Sequence, residues 1–404
     1  MRRARSTRRD LEAIWRDGMA WSVMVGMGEQ AIPACALAIG ATSIVAGLSA
    51  TVPMVLGAAL QLLLAPAVSR VRSLKRWVVL MCALQAVVFL PLAFGAWTGA
   101  LPIAALYAFA TLYWTLGISG NPAWSTWVEL HVPRRLAYRY WAGRQAWIHV
   151  FTMFGLLAAG WILRSADRAA PLAAFAWVFL GAAIARAVSA AFLTTQSELE
   201  PHPAGARALT LRELIARLFG AREGRLLVAL LASQAALQFA QPYFLAWLLG
   251  PRGLGYAEAM LLLAAAVLGR FLSLPAWGRF AERRSLAALF LVSGAACVPL
   301  TLLWIGAGGF GWLFAAQVFG GVALGGFELA TFLAFFARID RGERVVLLTW
   351  YHLANAVAFA LGSLAGGWVL ARGGALGLDP FVLVFALAAF LRLLAFGMVA
   401  RGVR

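Results

Sequence analysis

The run from Trp77 to Trp97 carries no charged residue, and as a helix it is long enough to cross about 30 Å of hydrocarbon. Further apolar runs of this kind follow one another along the chain, separated by short basic segments. No water is available to the backbone inside a bilayer, so each run must bond its N–H and C=O groups internally. That requirement predicts helices. A membrane barrel would read as short segments of alternating polarity, and the sequence does not have that pattern. With 63% hydrophobic and 12% charged residues, a soluble fold would leave too much apolar surface in water.

The runs divide into about twelve spans, the first over 18–40 and the seventh over 225–249. The net charge of +18 raises the question of nucleic acid. Its placement answers it, because the arginines and the single lysine, Lys75, crowd the segments on one side of the spans. The opposite loops hold only Arg164, Arg168, Arg252 and Arg372. The positive-inside rule then predicts that both termini are cytoplasmic, and it argues against a nucleic-acid partner. The arginine-rich stretch from Met1 to Asp17 leads into the first span without a small-residue cleavage site, which predicts a retained helix. Cys35, Cys82 and Cys297 fall inside spans with no C-x-x-C pair and read as packing residues. Four scattered histidines offer no metal-ligand cluster, and no phosphate-binding glycine motif is present, so neither metal nor cofactor is expected.

Two halves can be aligned with each other. Residues 154–163 read FGLLAAGWIL and residues 361–370 read LGSLAGGWVL, with six identical positions at an offset of 207. Pro91-Leu92 matches Pro299-Leu300, and Phe179 with Arg186 matches Phe385 with Arg392, at nearly the same offset. Several matches in one order predict a duplicated six-helix unit: residues 1–194, a cytoplasmic linker over 195–224, and residues 225–404. Within the linker, Thr210 and Glu213 form a capping box for a short amphipathic helix near 210–219.

The loop after the eighth span reads Gly278-Arg279-Phe280-Ala281-Glu282-Arg283-Arg284-Ser285. It is similar to the G-x-x-x-D-R-x-G signature of the major facilitator superfamily, with Glu for Asp and Ser for the second Gly. The corresponding first-half loop keeps Arg72 and the closing Lys75-Arg76, but Val71 replaces the acid and Ala67 the glycine. The chain as a whole resembles that family. The resemblance implies an all-α membrane protein of twelve transmembrane helices in two pseudo-symmetric bundles. It also implies a cavity lined by spans 1, 4, 7 and 10, and a cytoplasmic gate at Arg72, Gly278, Glu282 and Arg283. Gly155, Gly160, Gly362, Gly366 and Gly367, on spans 5 and 11, read as sites of close helix packing.

Ionisable groups inside a membrane are costly and mark pairs or pathways. Glu29 lies at the centre of span 1 beside Gln30, and Glu328 lies in span 10, where Arg270 of span 8 is a candidate partner. A carboxyl group in such a place can take up and release a proton as its surroundings change, which is what proton coupling requires. Gln234, Gln238 and Gln241 follow i, i+4, i+7 spacing and are expected on one helical face, joined on the cavity lining by Tyr243 and Asn121. Arg186 and Arg392 are expected to reach the headgroups or to bond a neighbouring helix. His149, His352 and Asn355 read as interhelical hydrogen-bonding residues, and Pro33 and Pro122 as bends.

These features predict a secondary transporter of a small organic solute, proton-coupled and exporting, acting as a monomer in a bacterial inner membrane. A facilitative uniporter and an uptake symporter are alternatives of the same fold. A remote alternative is an intramembrane serine protease, from Gly117-Ile118-Ser119-Gly120. The duplicated halves argue against an enzyme.

Overall fold

A computed structural model of the chain describes residues 2–70, 73–129, 131–132, 137–164, 171–198, 222–306, 308–338, 341–374 and 377–403. Arg72, Arg168 and the linker helix at Thr210–Phe219 lie outside the described residues, as do the side chains of Pro122 and His352. The described residues form helices and no strands. The chain divides into two compact units. Unit 1 comprises Met1–Gly205 with Gly253–Ala264, and unit 2 comprises Ala206–Arg252 with Ala265–Arg404.

In unit 1 the helices are α1 (Arg2–Met27), α2 (Ile32–Ala38), α3 (Ser43–Leu48), α4 (Val52–Arg70), α5 (Leu74–Trp97), α6 (Ile103–Glu129), α7 (Ala137–Arg164) and α8 (Pro171–Thr194). Those that follow are α9 (Arg222–Gln238), α10 (Gln241–Leu249), α11 (Tyr256–Arg283), α12 (Leu286–Cys297), α13 (Leu300–Ile305), α14 (Phe310–Arg338), α15 (Arg341–Gly373) and α16 (Pro380–Val403). Ten helical stretches among the described residues are long and apolar enough to cross a membrane.

Local chemistry sets the helix ends. Ser73 accepts from the Arg76 amide at the start of α5, and Ser285 accepts from the Ala288 amide at the start of α12, both at 3.1 Å. Each satisfies an amide that has no partner within its helix. Asp379 does the same for Phe381 and Val382 at the start of α16. The turn after α5 passes through Gly99 at φ +69°, a conformation that glycine adopts without a Cβ clash.

The segments expected as single spans over 18–40 and 225–249 are each interrupted, and neither is among the ten. After α1 the chain makes a 3-10 turn over Glu29–Ala31 before α2. After α9 it leaves the helix at Phe239 and Ala240 before α10. Pro33 and Pro242 sit in the first turn of α2 and of α10. Proline has no N–H to donate, and its ring clashes with the carbonyl four residues earlier. Those carbonyls belong to Glu29 and to Gln238.

Glycines set the tightest crossings. In unit 1, α1 packs on α7 and α8, α5 on α8, and α4 on α6. A Cβ on Gly26 would strike the Thr152 carbonyl, and one on Gly155 the Val23 carbonyl. In unit 2, α9 packs on α15 and α16. There Gly362 and Gly366 lie against the Ala235 and Phe239 carbonyls. Small residues let helix backbones approach where no hydrophobic force separates protein from lipid. Around these crossings the cores are aromatic. Phe89, Phe175 and Phe179 are buried in unit 1, and Phe290, Phe327 and Phe385 in unit 2. Phe94, Trp97, Trp161 and Trp368 stand exposed instead, as apolar side chains facing lipid do.

Gly155→Ala should lower the melting temperature of purified protein by several degrees, through an overpacking cost of about 1–3 kcal/mol. Gly397→Ala, where a Cβ meets nothing within 4 Å, should not. Thermal unfolding of both variants in one detergent checks the contrast.

Candidate functional site

Glu29 opens the 3-10 turn that interrupts the first span. The Tyr113 hydroxyl on α6 donates to Glu29 Oε2 at 2.8 Å and also lies 3.4 Å from Met24 Sδ. Tyr113 is buried and packed between the rings of Phe89 and Trp114, so its hydroxyl is held toward the carboxylate. Glu29 and Gln30 are half-buried. The break makes this position unusual. The chain turns here with backbone groups outside the regular helix ladder, and an ionisable side chain leaves from the same residue.

The same spacing separates Glu29 from Gln238 and Pro33 from Pro242, so the two interruptions are sequence-equivalent. Gln234 and Gln238 share α9 and are half-buried. Gln241 is exposed and begins α10, beyond the break. The expectation of one face for all three is therefore corrected, because i, i+4, i+7 periodicity does not survive an interrupted helix. Tyr243 is corrected as well. It is fully buried, and its hydroxyl donates to the Ser363 carbonyl on α15, so it packs between helices instead of lining a cavity. Asn121 is exposed on α6.

In unit 2, Arg270 Nη1 and Glu328 Oε1 form an ion pair at 3.1 Å. Glycine makes it possible. Gly321 and Gly325 on α14 lie against the backbone of α11 at Ala266 and Arg270, which brings the two side chains to one level. The loop signature takes a different form from that expected. Gly278, Glu282 and Arg283 all belong to α11, which runs on to Arg283, and the turn is made by Arg284 and Ser285. Glu282 and Arg283 are exposed.

A second polar network in unit 1 was not anticipated. Arg186 on α8 is buried and donates from Nε to Gln85 Oε1 at 2.9 Å and from Nη1 to Ser189 Oγ at 2.8 Å. Gln85 Nε2 donates to the Tyr113 carbonyl at 2.9 Å, and Ser189 Oγ donates to Asp17 Oδ1 at 2.7 Å. Asp17 lies 3.9 Å from Arg144 Nη2, and the Arg144 guanidinium lies 4.8 Å from the Trp124 ring centroid. A chain of contacts thus links the turn of α6 that presents Tyr113 to a buried carboxylate on α1. One signal in the sequence points to it. Asp10 and Asp17 are seven residues apart on an otherwise arginine-rich helix, which puts both on one face. Both are buried.

Arg186 and Arg392 do not reach toward headgroups. Both are buried and bond neighbouring helices, Arg392 through the Cys297 and Leu237 carbonyls at 3.4 and 3.5 Å. Ser119 is buried and its hydroxyl donates to the Thr115 carbonyl one turn back, an ordinary bond for a helical serine.

Comparison with solved structures bears on the architecture as a whole. A mutant of the nucleoside transporter NupG matches with a TM-score of 0.75 at 12% identity, covering 96% of this chain and 99% of that one. The fold is that of the major facilitator superfamily transporters. A POT family transporter in complex with a thioalcohol-conjugated peptide matches with a TM-score of 0.71 at 14% identity, over 98% of this chain and 97% of the other. A bacterial homologue of the iron transporter ferroportin, in an inward-facing state, matches with a TM-score of 0.68 at 14% identity, over 99% of both chains. No sequence profile of a known family matches the chain, and no curated protein matches it in sequence. Identities this low carry the major facilitator fold and nothing about cargo.

Gln85→Leu should destabilise the protein by about 2–3 kcal/mol, since it leaves the buried Arg186 guanidinium and the Tyr113 carbonyl without their partner. A lowered melting temperature in detergent, with Leu84→Ala at a neighbouring exposed position as a control, measures it.

Proposed function

We propose that this protein is a secondary transporter that moves a small organic solute by alternating access, with proton coupling through Glu29. The observation that carries the reading is the position of Glu29, an ionisable residue at an interruption of an apolar span and bonded to Tyr113. Interrupted helices are where transporters of several folds hold substrates and coupling ions. The carboxylate has one strong donor in the structure and no cation against it among the described residues. It is therefore free to exchange a proton without first breaking an ion pair. Glu328 differs, since its carboxylate is already paired with Arg270.

Twelve crossings in two halves, residues 1–194 and 225–404 around a linker over 195–224, complete the proposal. The ten apolar stretches plus the two interrupted pairs, α1–α2 and α9–α10, support that number. The matching glycine crossings of α1 with α7 and of α9 with α15 support the duplication. Both termini then face the cytoplasm, by the distribution of arginine. Gln30, Asn121, Gln234, Gln238 and Gln241 supply uncharged polar contacts to the solute, and the direction is export. Glu282 and Arg283, exposed at the end of α11, lie on the cytoplasmic side and take part in the gate. The protein acts as a monomer in the bilayer of a bacterial inner membrane.

The test is a proteoliposome assay with a pH-sensitive dye inside and a library of solutes outside. One or more solutes should drive a pH change in wild type, and Glu29→Gln should lose at least about 90% of it, as expected for a group made essential by the coupling step. Solute flux that ignores an imposed pH gradient and survives Glu29→Gln would overturn the coupling and leave a facilitative carrier.

A further inference from the structure

In unit 2 the ion pair between Arg270 and Glu328 is open on one side. Arg270 sits midway along α11 and Glu328 in the second half of α14, both on stretches apolar enough to cross a membrane. Their side chains are nevertheless 25% and 47% exposed. A pair that only ties two helices together would be enclosed by them, because contact with lipid is costly for either charge. The exposed side must therefore meet water or a polar solute. Helix geometry agrees. Phe319 on α14 is exposed and apolar, and it precedes Glu328 by nine residues. At 3.6 residues per turn that is about two and a half turns, so Glu328 stands on the face opposite Phe319. On α11 the exposed Leu272 is two residues beyond Arg270, which is about 200° round the helix. The apolar exposed faces of both helices thus turn away from the pair.

The head groups are far from saturated. A guanidinium carries five N–H donors, and a carboxylate accepts on two oxygens. Here the contact is single, from Arg270 Nη1 to Glu328 Oε1 at 3.1 Å. No other hydrogen bond reaches either head group among the described residues, and Arg270 Nε is buried without a partner. The backbones beneath them are fixed against each other. The Ser273 hydroxyl donates to the Arg270 carbonyl at 3.1 Å, and a Cβ on Gly325 would stand 3.4 Å from both Arg270 Cα and Ser273 Oγ. Two opposite charges are therefore presented side by side, each with bonding capacity left over.

We propose that the Arg270–Glu328 pair is a binding site for a compact zwitterion, an apolar α-amino acid. Its carboxylate accepts from the open edge of the guanidinium, and its ammonium donates to the remaining oxygen of Glu328. The four charges alternate around a small ring, so each has opposite charges on both sides and the protein pair stays intact. A solute with one charge fits worse. An anion alone sets a second negative charge beside Glu328, and a cation alone a second positive charge beside Arg270. Spacing selects as well, because an α-amino acid holds its two charges about as close together as the protein holds its own. Phe332, 51% exposed, lies one turn beyond Glu328 on the same face and offers apolar surface to the side chain. The inference gives the transporter reading a substrate class, but it uses neither Glu29 nor a proton gradient.

The test is binding of radiolabelled leucine to the purified full-length protein in detergent at about pH 6, where leucine is a zwitterion, leucinamide a cation and N-acetylleucine an anion. Labelled leucine should bind saturably, and unlabelled leucine should displace it. Leucinamide and N-acetylleucine should each compete at least about tenfold less well, since each lacks one charge-assisted hydrogen bond. Arg270→Met with Glu328→Met removes both charges together, a change that a fold often tolerates, and it should abolish saturable binding while the protein still melts cooperatively. Absence of saturable leucine binding overturns the proposal, as does equal competition by either single-charge analogue. Binding that persists in the folded double variant overturns it too, and the competition series in wild type decides the matter even where that variant does not fold. Failure here leaves coupling through Glu29 untouched, and loss of coupling in the proteoliposome assay leaves this site untouched.

Discussion

Backbone hydrogen bonding in a medium without water governs this protein from its helices to its candidate site. A peptide group that cannot find water must find another peptide group, and within one segment only the helix provides that. Most of the apolar runs among the described residues are therefore unbroken ladders, and the interrupted ones include the two that bear on the candidate site. Two interruptions fall at sequence-equivalent places, where Pro33 and Pro242 each remove a donor and exclude the carbonyl of Glu29 or Gln238. Glu29, Gln30, Gln238 and Gln241 stand at or beside these two points, where the ladder is already broken. There, polarity adds least to a cost the backbone has met already.

The second constraint is the partnering of charge. Arg186 and Arg392 occupy equivalent positions, yet they are served differently. Arg186 has Gln85, Ser189 and, through Ser189, Asp17. Arg392 has two carbonyls at the long end of hydrogen-bonding distance. Unit 1 thus contains a connected polar network reaching from Tyr113 to Asp17, and among the described residues of unit 2 the ion pair is Arg270 with Glu328. The two units carry unequal electrostatics, with Glu29 in one and a carboxylate already paired with an arginine in the other.

Packing ties the two constraints together. Gly26 and Gly155 bring the backbones of α1 and α7 into contact just before the Glu29 turn, and Gly362 and Gly366 do the same for α9 and α15 beside the break after Gln238. Close backbone contact holds the broken helices in line without polar side chains, so the polar groups are left for Glu29, Tyr113 and their neighbours. The crossing of α11 with α14 at Gly321 and Gly325 works in the same way for Arg270 and Glu328.

Much of this was legible in the residues. Apolar run length demanded helices, and helices are what the described residues form, because that requirement depends on composition along one segment. Glu29 and Glu328 stood out for the same reason, as charges where none is expected. The sequence also misled where periodicity was extended through a break: Gln241 does not continue the face of Gln238, and Tyr243 is buried. Tertiary structure alone decided which groups are partners. That Arg186 meets Gln85 and that Asp17 lies between Ser189 and Arg144 depend on helices brought together from far apart in the chain. A segment states its own polarity; its partners are chosen by how the glycine-lined faces of other segments let it approach.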